Sequence, residues 1–161
     1  MDKADVLKIA AQKAEQHEID LDLVLAFITV ESNFNVWAHR FEPSWRYSLT
    51  DEETNRHAAH NMISVATEHV DQCTSFGVMQ VMGSVARELG YLGNLAGLYD
   101  PEYGVHYGCL KLKLELKKYP EMSDAISSYN AGSPRKVGGL YSNQTYVDKI
   151  TAAYNGLKQG A

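Results

Sequence analysis

Apolar residues recur at helical spacing along most of the chain. Val6, Ile9, Ala10, Ala14 and His17, with Lys13 among them, follow steps of three and four residues, which predicts a helix with one buried face. Asp20 or Asp22 can cap a second helix, from about Leu23 to Glu31, that is apolar on every side; such a helix belongs inside a core. A strand competes for so short an apolar run, but Ala26 and the lack of alternation favour the helix. Thr50 and Glu53 have capping-box spacing, so a helix is expected through His60 and Met62, with another near Ser64–Asp71. Gly90 ends a helix built on Val85, Ala86 and Leu89. Asp100-Pro101 starts a helix with the stripe Val105, Cys109, Leu112, Leu116 and Tyr119, and Pro120 stops it. Ser123 is expected to cap a short helix reaching Tyr129, residues 132–139 read as a loop, and Tyr146, Val147, Ile150, Tyr154 and Leu157 define the last helix. The predicted fold class is all-α.

Composition narrows the function. With 161 residues, 45% of them apolar and 22% charged, the chain is expected to form one globular domain with one sizeable core. No apolar run approaches the roughly 20 residues of a membrane span, so no membrane insertion is expected. The net charge is −5, a poor basis for gripping nucleic acid. It is uneven: residues 1–75 hold 6 Lys/Arg against 13 Asp/Glu, and residues 76–161 hold 9 against 7. Two cysteines, Cys73 and Cys109, do not make a disulfide scaffold. The start, Met1-Asp2-Lys3-Ala4-Asp5, carries no basic segment followed by an apolar one, so no signal peptide is expected.

Candidate chemistry starts at Glu31, which closes the all-apolar helix behind Phe27, Ile28 and Val30. A carboxyl against such a surface is poorly solvated when charged, so its pKa should rise, and a carboxylic acid still protonated near neutral pH can donate a proton to a leaving group. A solvent-facing helix-end glutamate, or one in a core ion pair, is the plainer reading of that position alone.

Further blocks fall in order around it: Glu31-Ser32-Asn33-Phe34, then Ser75-Phe76-Gly77-Val78-Met79-Gln80-Val81-Met82, then Asp100-Pro101 with Gly108, then Ser128-Tyr129-Asn130-Ala131-Gly132, and Thr145-Tyr146-Val147. Together they resemble the soluble lytic transglycosylase domain, a goose-type-lysozyme-like family that cleaves the glycan of peptidoglycan. The resemblance spans about residues 20–150 and implies a lysozyme-like helical globule with a sugar-binding groove. It implies Glu31 as the catalytic acid, a substrate-binding set of Ser32, Ser75, Gln80, Met82, Tyr129 and Asn130 with Tyr129 beside the acid, and close backbone approach at Gly77 and Gly132. It implies peptidoglycan glycan strands as partner, no cofactor and no metal; a monomer is expected.

The sequence departs from the pattern at Val36, Val78, Gly83 and Ser128, and most of all in an enlarged segment, residues 39–74. That segment resembles part of the compact single-domain lysins of bacteriophages, which implies an endolysin kept in the host cytoplasm until its release to the wall. Its Phe41, Trp45 and Tyr47, with Trp37, are either a sugar-stacking wall or ordinary packing. His57, His60, His69 and Cys73 share helix faces in pairs but match no strong zinc spacing. Two other readings remain open: a muramidase whose second carboxylate would come from Asp51, Glu52, Glu53, Glu68 or Asp71, and a non-catalytic glycan-binding module.

Overall fold

The computed structural model describes residues 2–160. Helix α1 (Lys3–His17) opens with a complete capping box between Asp2 and Asp5. Helix α2 (Leu21–Ser32) is capped by Asp20, whose side chain accepts from the Asp22 amide. Val24, Phe27 and Ile28 of α2 are fully buried, so the apolar helix lies in the core as its pattern predicts, with only an edge at Leu21 and Thr29 exposed. Strand β1 (His39–Phe41) follows, then α3 (Asp51–His60), α4 (Val65–Gln72), β2 (Thr74–Phe76), β3 (Val81–Met82) and α5 (Gly83–Glu88). A 3-10 turn over Leu95–Tyr99 leads to α6 (Pro101–Lys118), α7 (Met122–Ala131), the two-residue strands β4 (Lys136–Val137) and β5 (Leu140–Tyr141), and α8 (Gln144–Gln159). Helix α2 packs against α8 and α1, and α6 against α1 and α7. Phe27, Met79, Leu98, Leu112, Ile126 and Ile150, all fully buried, tie these elements into one apolar cluster.

The chain is mostly helical, as its spacing predicts, with local corrections. The loop expected over residues 132–139 holds β4, which pairs with β5 as a small hairpin. The short helix ending near Tyr129 begins at Met122 behind Glu121, with no side-chain cap, so Ser123 lies inside it. Three very short strands form an antiparallel sheet in the order β1-β2-β3. Its pairing of His39 with Phe76 and Phe41 with Thr74 joins the two ends of the enlarged segment, which therefore leaves and re-enters the fold at one place.

Within that segment α3 and α4 pack on each other, and a buried ion pair locks them to α5. The Arg87 guanidinium donates to both carboxylate oxygens of Glu68 at 2.8 Å, and to the Tyr91 and Gly93 carbonyls at 2.7 Å. Gln72 completes the network by donating to Glu68 and Thr54. Such a network is tolerated in a core because every strong donor and acceptor finds a partner. No helix among the described residues is long and apolar enough to cross a membrane.

Candidate active site

Glu31 is the second-last residue of α2. Asn33, in the left-handed conformation at φ 49°, ends the helix just past it. Phe27 lies one turn below Glu31 on the same helix face. The Ser32 hydroxyl reaches across to the Val78 carbonyl at 2.9 Å, pinning the end of α2 to the turn between β2 and β3.

That turn is built for close approach. At Gly77, φ is +70° and a Cβ would stand 2.3 Å from the Leu98 carbonyl oxygen. At Gly108 of α6 a Cβ would collide with the Met79 side chain, so the helix and the turn meet at a distance only glycine permits. Gln80, itself at φ 47°, donates to the Gly77 carbonyl at 2.9 Å and accepts from the Ser75 hydroxyl at 2.9 Å.

A cleft runs through Glu31. One lobe, about 610 Å³, is walled by Met82, Val85, Leu89 and Leu114, rimmed by Trp45 and Tyr47, and lined below by Gln80, Lys111 and Tyr129. The other, about 590 Å³, lies between Val30 and residues 141–146, with Lys149 at its edge. Both are the size of ordinary ligand pockets. Glu31, Arg40 and Asn130 line both lobes, so the carboxyl sits where they meet.

The Tyr146 hydroxyl donates to Glu31 Oε1 at 2.5 Å. Burial pushes the Glu31 carboxyl above the ordinary range, against the opposing pull of that hydrogen bond and of the Lys111 and Arg40 cations. Burial and the neighbouring carboxylate push the Tyr146 phenol far up, so it remains a donor at any working pH. One oxygen of Glu31 is thus held by a neutral donor.

The family profile described as Transglycosylase SLT domain matches residues 8–150. The chain belongs to this family. No curated protein and no solved structure gives a significant match. The family is one of peptidoglycan glycan-cleaving enzymes, and the helical fold and groove of this SLT domain agree with it.

The SLT domain brings Glu31, Ser75, Gln80, Met82, Tyr129 and Asn130 to the cleft. Ser32 lies outside the lining and serves as the brace to Val78. The Tyr129 ring lines the groove, but its hydroxyl donates to the Met79 carbonyl at 2.9 Å, so the phenol bonded to Glu31 is Tyr146. Gly132 has open space where a Cβ would stand; its φ of +74° at the end of α7 is what calls for glycine. Trp45 and Tyr47 rim the groove, with the Trp45 indole donating to the Ser84 hydroxyl at 2.8 Å, whereas Trp37 packs at a tilt against Tyr99 instead and Phe41 also lies outside the lining.

None of Asp51, Glu52, Glu53, Glu68 and Asp71 lines either lobe; the lining carboxylates other than Glu31 are Glu42, Glu88 and Glu115. Among the described residues no group of three or more His, Cys, Asp or Glu side chains is arranged to hold a metal. Sequence reasoning missed Arg40, Lys111 and the role of Tyr146. Only Tyr146 carried a signal, because it sits in the Thr145-Tyr146-Val147 block.

Proposed function

We propose that this SLT domain is a lytic transglycosylase in which Glu31 is the acid and then the base of one reaction. The protonated Glu31 gives its proton to the oxygen linking C1 of N-acetylmuramic acid to C4 of N-acetylglucosamine, and the C1–O bond breaks. The Glu31 carboxylate then takes the proton of the muramic acid's own C6 hydroxyl as O6 bonds to C1. The products are a 1,6-anhydromuramoyl end and a free C4 hydroxyl, with Glu31 reprotonated and no water consumed. An attacking group already attached to the substrate has high effective molarity, so one carboxyl suffices.

The observation that carries this reading is the position of Glu31: a carboxyl whose proton affinity burial raises, bonded to a neutral phenol, at the junction of two lobes. A glycan strand lying along the cleft would cross it at one linkage. The finer role, a phage endolysin waiting in the host cytoplasm, is supported by the resemblance of the enlarged segment. Glu31→Gln tests the assignment of the acid. The amide keeps the shape but has no acidic proton to deliver, so lysis of purified walls, followed by turbidity, should fall by about 10²–10⁴-fold with the fold intact. Near-normal clearing by Glu31→Gln would refute it.

A further inference from the structure

Lys111 is a cation lining the groove that the proposed chemistry does not use. It projects from α6 into the lobe that Glu31 also lines. Its Nζ stands 4.1 Å above the centre of the Tyr129 ring. The Tyr129 ring in turn packs edge-on against Phe27, 4.6 Å between centres, and Phe27 lies one turn below Glu31. The stack Phe27–Tyr129–Lys111 therefore fixes the ammonium relative to the end of α2. Among the described residues no carboxylate oxygen comes within ion-pair distance of Lys111, and it makes no hydrogen bond. Glu115, one turn further along α6, has an oxygen sealed from solvent without a partner. A cation on an aromatic face in a half-buried groove, left unpaired in a lobe that two carboxyls also line, is an unusual use of lysine.

We propose that Lys111 is a positioning residue for Glu31: held on the face of Tyr129 without an ion-pair partner, its ammonium is the counter-charge against which the Glu31 carboxylate forms when the acid gives up its proton. This rests on the reading of Glu31 as the acid. The half-reaction in question turns a neutral carboxyl into an anion inside a groove that resists charge, and a fixed cation nearby offsets that cost without rearranging. The other titratable groups lining the two lobes with Glu31 are Tyr146 and Lys149 from α8, Tyr141 from β5, Tyr129 from α7, Glu115 from α6, Glu88 from α5, and Arg40 on β1 with Glu42 and Tyr47 after it. Arg40 is already held by Glu42, and Lys149 lies at the exposed rim. Among the described lining residues, Lys111 is thus the half-buried cation without an ion-pair partner. Its own chemistry agrees: burial lowers it to about 8, while Glu31 and Glu115 act to keep it protonated.

The test follows the Glu31 carboxyl itself. Its titration is read by carbon NMR of glutamate-labelled protein and by the pH profile of kcat/KM on purified walls. Lys111→Met should move the Glu31 midpoint, and with it the alkaline limb of the profile, upward by about one pH unit, because a carboxyl that loses a nearby cation ionises less readily. Lys111→Arg, which keeps the charge, should leave both near their wild-type positions. A residue that only packs against Tyr129 would change melting temperature without moving the midpoint. An unmoved or lowered midpoint in a folded Lys111→Met protein overturns the proposal, and Lys111→Gln serves the same comparison if the methionine variant does not fold. If Glu31→Gln remains lytic, the assignment of the acid fails instead, a result distinct from an unmoved midpoint.

Discussion

Two tyrosines at the cleft have separable duties. Tyr146 donates to Glu31, and that bond favours the carboxylate over the acid. Tyr146→Phe should slow turnover by about ten- to a hundredfold, the worth of a hydrogen bond to a group that becomes charged, and should move the alkaline limb of the pH–rate profile upward. Tyr129 donates to the buried Met79 carbonyl, so Tyr129→Phe should instead lower unfolding free energy by about 1–3 kcal/mol with a smaller effect on kcat. Urea unfolding and pH-dependent kinetics on the two variants read both effects. A larger loss of turnover in Tyr129→Phe than in Tyr146→Phe would reverse the assignment. The family block containing Tyr129 points to the right region of the groove, but which phenol reaches Glu31 depends on how α7 and α8 pack, and spacing within either helix does not encode that.

At the scale of elements, α1 and α6 meet through a histidine pair, His17 Nε2 and His106 Nδ1 at 3.0 Å. Burial lowers both pKa values, and Lys13 beside the pair acts in the same direction. Their folded values lie below the unfolded one, so the unfolded chain binds more protons as the pH falls. Stability from this contact is therefore present above about pH 6.5 and is lost as the pH drops through the folded values. The first proton can be shared across the bond, but a second leaves two cations in contact. Thermal melts of wild type and His106→Gln between pH 7.5 and 5 should converge as the pH falls; a gap that stays constant would remove the pair as the cause.

The helices themselves were legible because their signals are local. Asp20, the Thr50–Glu53 box and Asp100-Pro101 all cap as their spacing predicts. The strands were not legible, since each is two or three residues long and β1 pairs with residues some 35 positions away. The buried pair Glu68–Arg87 escaped sequence reading for the same reason: each residue alone looks like solvated helix surface, and only the packing of α4 on α5 joins them.

At the scale of the whole molecule, the cleft is assembled from α2, the enlarged segment, the β2–β3 turn and α5 to α8. Glu31, Gln80 and Asn130 could be named from motifs, because the blocks that carry them are ordered along the chain. Arg40 and Lys111 could not, because only the closed fold brings β1 and the middle of α6 to face the end of α2. The closed fold also removes from the groove every carboxylate that the sequence offered as a second catalytic group, and places Glu42, Glu88 and Glu115 there. Whether one carboxyl does the work is read most directly from the product. Purified peptidoglycan digested with the wild-type protein should yield, by mass spectrometry, 1,6-anhydromuramoyl ends, each lighter by one water than the hydrolysed end and lacking a reducing group. Reducing muramic acid ends, appearing at the rate of cleavage, would contradict the account and turn attention to Glu42, Glu88 and Glu115 as activators of water.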